Sequence, residues 1–345
     1  MNFSDKDMKF TGYLFAMSDD TGIFQHSIYG VPDPKKGYTT DDNSRALILA
    51  VMLFERFKSK EYLMLVYRYI AFMLNAQNDN GKFKNFMNYN REFLEAEGSE
   101  DCLGRCLWAL GRTISSASIP ENIKKSCLHM LNKVKENWME FKSPRAKAYA
   151  IVGLSFLSGT EDIDSRIGEL SRSLVEQYER YKHDSWHWFE DSMTYGNAIL
   201  PLSLFGAYKI LQKDVLLDVA RESMDFLGRI TLKDGYFKPV GSNGWYEKGK
   251  TPAEFDEQPI EACETMLAYL SYYKIMKDEQ YLNNAVRCFN WFTGKNSKNL
   301  SLIDEESGAC YDGLNETGTN YNQGSESLIS YGMAFLEIYK IKFNT

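Results

Sequence analysis

Two kinds of apolar segment alternate along the chain. The first kind opens on acidic or polar residues, is rich in Ala, Gly and Ser, and is apolar nearly all round. It recurs six times, as "DDNSRALILAVMLF" from 41, "EDCLGRCLWALG" from 100, "SPRAKAYAIVGLSFL" from 143, "EDSMTYGNAILPLSLFGAYKIL" from 190, "DEQPIEACETMLAYLSYY" from 256 and "NQGSESLISYGMAFLEIY" from 322. The second kind carries one apolar stripe at three- and four-residue spacing and a charged opposite face. Examples are Ile123, Cys127, Met130, Leu131, Val134 and Trp138, or Ile167, Leu170, Leu174, Val175 and Tyr178. A helix apolar all round must be packed on several sides, and one with a single stripe covers it from outside.

Six inner and six outer helices describe an all-α (α/α)6 toroid. Asp42 and Asp101 stand 59 residues apart, Asp191 and Glu257 66, and Glu257 and Glu326 69, and the 90 residues from Asp101 to Asp191 hold two steps. Only five outer segments follow the inner ones. The sixth place falls to the N-terminal "SDKDMKFTGYLFAMSDD", residues 4–20, which would close the ring. Long Gly- and Asn-rich loops precede several inner openings and are expected to carry short β-hairpins on that face, where a binding face is also expected. No low-complexity linker divides the chain, so residues 1–345 read as one toroid domain.

Composition narrows the function. The net charge is −7 and no run of Lys or Arg appears, which excludes a nucleic-acid or anionic-membrane partner. "MNFSDKDMKF" has no basic region followed by an apolar one and no stretch is long enough to span a membrane, so a cytoplasmic location is expected. Six scattered cysteines read as buried structural thiols. No phosphate loop, H-E-x-x-H or G-x-S-x-G motif is present, and neither a cofactor nor a metal is expected.

"MSDDTGIFQHSIYGVPDPKKGYTTDDNSRAL", "WHWFEDSMTYGNA" and "NQGSES" resemble the six-hairpin toroid proteins found alone or fused to glycosyltransferases in bacterial carbohydrate gene clusters. The acid-opened inner helices resemble the wider six-hairpin glycosidase superfamily. The resemblance spans most of the chain. It implies a sugar site at the mouth formed by the inner-helix N-termini, an oligosaccharide or sugar substrate, and a glycosyltransferase or other carbohydrate enzyme as a partner.

Carboxylates stand at the openings: Asp41 and Asp42, Glu100 and Asp101, Glu190 and Asp191, Asp256 and Glu257, and Glu326 one turn in. Any one of them would serve as a helix cap. A ring gathers them around one cavity, where two acids acquire different proton affinities and supply the acid and base that glycoside hydrolysis needs. The catalytic candidates are Asp191, Glu257, Asp42 and Asp101, with the first two preferred because aromatic residues flank them. Trp186, Trp188, Trp245, Tyr246 and Tyr195 are candidate sugar platforms. His26, His187, Arg45 and Glu326 complete the expected lining, although Arg45 and Arg105 also suit intrahelical ion pairs with Asp41 and Asp101.

Glycoside hydrolysis is the leading expectation. The alternatives are a sugar epimerase or isomerase moving a proton with His187 and His26, and a non-catalytic carbohydrate-binding module.

Overall fold

The computed structural model describes residues 8–343 except 137 and 139. The inner helices are α2 (Thr40–Phe57), α4 (Glu100–Ser115), α6 (Pro144–Ser155), α8 (Ile199–Leu211), α10 (Pro259–Met276) and α12 (Ser325–Phe343). The outer ones are α1 (Phe10–Ala16), α3 (Lys60–Ala76), α5 (Glu121–Glu136), α7 (Glu161–Tyr181), α9 (Asp214–Thr231) and α11 (Glu279–Phe292). Each inner helix packs on the next, and α12 packs on α2, so the ring is closed. Helix α1 packs on α12 and occupies the sixth outer place. Part of the segment expected there, residues 4–7, lies outside the described residues.

Local chemistry starts the inner helices. Thr39, Ser99 and Ser143 each cap their helix by accepting from the backbone N–H of Asp42, Cys102 and Ala146, and Pro144 and Pro259 occupy first-turn positions that need no donor. Glycines let α4 and α6 approach at backbone distance. A Cβ on Gly111 would lie 2.0 Å from the Gly153 carbonyl oxygen, and one on Gly153 2.3 Å from that of Leu107. The outer helices bury only their stripes, as α5 does with Ile123, Cys127, Met130, Leu131 and Val134. All six cysteines are buried free thiols.

Short antiparallel strand pairs lie in the loops that precede inner helices, two of them hairpins and two joining loops about fifty residues apart in the chain. They pair β1 (Ser27–Ile28) with β2 (Val31–Pro32), β3 (Tyr38–Thr39) with β4 (Phe86–Met87), β5 (Ser192–Met193) with β6 (Tyr246–Glu247), and β7 (Gly313–Asn315) with β8 (Gly318–Asn320).

One opening differs from expectation. Helix α8 begins at Ile199, so Glu190 and Asp191 belong to the preceding loop. That stretch is extended as β5, turns at Gly196 with φ +55°, and is fixed by the Asn197 amide, which donates to Thr194 O at 2.5 Å and to Glu261 at 3.0 Å. The backbone is engaged in pairing with β6 and in this turn before the helix starts.

Candidate active site at the mouth of the ring

A polar cavity of about 390 Å3 opens at the N-terminal ends of α2, α4 and α12, lined among others by His26, Asp41, Asp42, Arg45, Arg105 and Glu326. Asp41 and Asp42 stand in the first turn of α2, just after β3, which β4 holds in register. The Asp41 backbone N–H donates to the Asn85 side chain at 3.0 Å, which fixes the loop before β4 against this turn. Asp312 enters from the loop before β7, and its carboxylate accepts from Gly324 N at 2.6 Å, Ser327 Oγ at 2.7 Å and Asn322 Nδ2 at 2.5 Å.

Two arginines cross the mouth. Arg45 donates from Nη1 to Glu326 of α12 at 2.6 Å and from Nη2 to Asp42 at 3.2 Å. Arg105 pairs with Asp41 at 3.2 Å. Arg45 thus forms the expected pair within its own helix, though with Asp42 in place of Asp41, and also ties α2 to α12, whereas Arg105 pairs across to Asp41 of α2 in place of Asp101. Asp42 is buried, and that burial raises its pKa against the opposing pull of Arg45 and the Thr39 hydroxyl, which donates to it at 2.6 Å. Four carboxylates, Asp41, Asp42, Asp312 and Glu326, thus line the cavity with two guanidiniums between them.

From Arg105 a polar chain crosses from α4 through α6 to α10. Arg105 Nη2 meets the Tyr149 hydroxyl at 3.4 Å, and that hydroxyl donates to Glu264 at 2.8 Å. Burial first, and the neighbouring Glu261 second, push the Glu264 pKa up to about 8. Glu261 accepts from the Gly196 and Asn197 backbones and is likewise raised by burial. Asp41 Oδ1, Arg105 Nε, Arg145 Nη2 and Glu264 Oε2 are buried without a hydrogen-bond partner among the described residues.

The preferred acids of the sequence reading fall elsewhere. Asp191 is exposed on the loop before α8, with Lys248 at 3.6 Å and a side chain 70% accessible, because the pairing of β5 with β6 displaced the helix start. Glu257 is wholly buried and turned outward, accepting from Trp291 Nε1 at 2.6 Å and from the Ser297 hydroxyl. Asp101 stands near the ring's mouth but has both oxygens engaged, by Ser143 Oγ at 2.6 Å and Tyr195 OH at 2.8 Å, and clamps α4 to α6.

The aromatic wall also dissolves. Trp186 and Trp188 are 2% and 0% exposed, and Trp186 packs edge-on against Phe226 and Tyr246 while donating to Glu190 O at 2.7 Å. They are core residues and offer no face to a sugar. Trp245 and Tyr246 belong to the β6 region and do not line the cavity. Tyr195 keeps 39% exposure on the rim, with Arg145 over its ring at 4.7 Å. His187 faces outward, 3.5 Å from the Tyr178 hydroxyl and 3.7 Å from Glu222 of the outer helices, so the expected His187 and His26 pair does not form.

Sequence reasoning missed Asp312, Asn85, Tyr149, Glu261 and Glu264. A signal for the last two exists: two acids three apart in "PIEACETMLAYL", in a helix otherwise apolar all round, must be buried. Asp312 carries none, because only the chain's path from β7 back to α12 brings it to the mouth. Among the described residues no cluster of His, Cys, Asp and Glu suits a metal ion, and no helix is long and apolar enough to cross a membrane.

No protein-family model matches the chain, and no curated protein matches it by sequence. Solved structures do. A sugar epimerase from a ruminal bacterium superposes with a TM-score of 0.76 at 14% identity, over 98% of this chain and 96% of the other. The chain therefore has the six-hairpin (α/α)6 toroid fold. Cellobiose 2-epimerase from Spirochaeta thermophila matches with a TM-score of 0.72 at 12% identity, over 95% of this chain and 94% of its own. The GH76 α-mannanase from Bacteroides thetaiotaomicron matches at 0.68 and 11%, over 99% and 98%. Proteins of this toroid thus include both sugar epimerases and glycoside hydrolases.

Proposed function

We propose that the protein is a carbohydrate-active enzyme that hydrolyses a short oligosaccharide at the mouth of the ring. The observation that carries this reading is the pair Asp42 and Glu326, carboxylates from facing inner helices that meet on one guanidinium, Arg45, inside a polar cavity. Burial holds a proton on Asp42 more firmly than on an ordinary carboxylate, which suits a general acid protonating the leaving oxygen. Glu326, with a side chain 39% accessible, is the second carboxylate, base or nucleophile according to its distance from Asp42. Asp41, with an unpartnered oxygen, and Asn85, Asp312 and His26 supply acceptors and donors for sugar hydroxyls. The toroid fold's use by the mannanase agrees with this reading.

A structure of the protein soaked with short oligosaccharides tests the assignment. A sugar between Asp42 and Glu326 supports it, and their separation, about 5 Å or about 6.5 to 9.5 Å, predicts retention or inversion. A sugar bound only at Trp245 or Tyr195, away from these acids, refutes it.

Epimerisation is the second reading, favoured by the likeness to two sugar epimerases. With His187 turned away, it would rest on His26 and on Glu264, whose proton affinity lies near neutrality. Solvent deuterium entering a sugar C–H bond without hydrolysis would replace the first reading by the second. A cytoplasmic location, a single domain over residues 1–345 and a glycosyltransferase partner belong to the same proposal.

A further inference from the structure

A second cavity, larger than the mouth at about 550 Å3, opens at the opposite end of the ring. All six inner helices contribute to it. Ile48, Met52, Trp108, Leu202, Leu267 and Met333 are among its apolar walls, and its charged lining residues are Arg112, Lys209, Lys274, Lys340 and Glu337. Two of these cations are neutralised nearby, Arg112 by Glu55 and Lys340 by Glu337 at 2.5 Å. Lys209 and Lys274 have no carboxylate partner among the described residues.

Basic residues in the last turn of a helix ordinarily offset the negative end of its dipole, and Lys209 and Lys274 hold that position in α8 and α10. Here they do more than that role requires. They converge from neighbouring helices on one apolar cavity, where burial, Lys274 and Lys277 together lower the proton affinity of Lys209. Two like charges at the edge of an apolar space are stabilised by an anion whose remaining body is apolar.

We propose that this basal cavity binds a small anionic amphiphile, with an alkyl or aromatic body along Trp108, Leu202 and Met333 and an anionic head between Lys209 and Lys274. Carboxylate and phosphate heads share the required chemistry. The inference is independent of the reaction at the mouth, because no cavity-lining residue is common to the two ends.

Titration calorimetry of the intact protein with dodecanoate, dodecyl phosphate and dodecanol tests it. The expected result is one equivalent of an anionic ligand bound, at least tenfold more tightly than the alcohol and more weakly at high salt. The tighter of the two anions names the head group. The double variant Lys209→Gln, Lys274→Gln removes exposed charges and is expected to keep the wild-type melting temperature while losing at least tenfold in affinity. Ser271→Trp, which fills the cavity from α10, is expected to lose binding of both anions. Equal affinity for the alcohol, unchanged affinity in the double variant, or no binding by the wild type overturns the proposal.

Discussion

Asp42 and Asp191 are both acids beside an inner-helix opening in the sequence, yet one is buried in the mouth and the other lies on an exposed loop beside Lys248. Their amides separate the two environments. Asp42→Asn is expected to lower kcat by about 10²- to 10⁴-fold with little change in sugar affinity, while Asp191→Asn leaves both unchanged. With Asp42 in its proposed role of acid, kcat should fall as pH rises through its elevated pKa, and this alkaline limb should vanish in Asp42→Asn. Glu264 tests the buried chain by a different readout. Its native pKa of about 8 exceeds that of a free carboxyl, so the native state holds a proton that the unfolded chain releases. Stability is therefore fully present below the unfolded pKa, near 4.3, and declines as pH rises to about 8. Glu264→Gln should flatten that decline in chemical denaturation measured from pH 5 to 9. A slope unchanged in the variant would mean that Glu264 does not carry it.

The elements were legible where periodicity alone decides them. Five of the six inner helices begin within about three residues of their acidic or polar openings, because all-round apolarity and a Thr, Ser or Pro start leave the chain little alternative. The fourth failed because Ser192 and Met193 of "EDSMTY" pair as a strand with Glu247 and Tyr246, a contact more than fifty residues away that no local pattern announces. The same distance effect hid the site. Trp186 and Trp188 look like sugar platforms in a sequence and prove to be core, since Phe226 and Tyr246 cover them only after α9 and β6 have packed. Helix packing also fixes which glycines matter. Gly153→Ala would drive a Cβ into the Leu107 carbonyl, so α4 and α6 must separate, and the variant is expected to lose about 1 to 3 kcal/mol in urea unfolding. Gly12→Ala, in α1 with open space around it, is expected to change stability little or to raise it.

At the scale of the whole molecule, closure joins the ends of the chain to the site. Tyr13 and Ser27 donate to the Gln323 carbonyl at 3.1 and 2.9 Å, and Ser325 N donates to Gln25 O at 3.2 Å, so the N-terminal segment fixes the start of α12 and with it Glu326. Removing residues 1–24 should lower the melting temperature by several degrees and weaken sugar binding at the mouth. Unchanged sugar binding by such a folded truncation would show that Glu326 is positioned without closure. The ring itself was legible from six repeated openings, whereas the placement of acids around it was not. Which carboxylate faces the axis depends on helix rotation, and Glu257, one residue before its helix's N-cap, points outward to Trp291.

The central claim is that saccharide chemistry occurs at the mouth between Asp42 and Glu326. The most direct measurement is mass spectrometry of a pool of short oligosaccharides incubated with the protein in H2¹⁸O, comparing wild type with Asp42→Asn and Asp191→Asn. The account predicts ¹⁸O-labelled cleavage products from the wild type and Asp191→Asn and almost none from Asp42→Asn. Products that persist undiminished in Asp42→Asn, or a pool left uncleaved by the wild type, would contradict it.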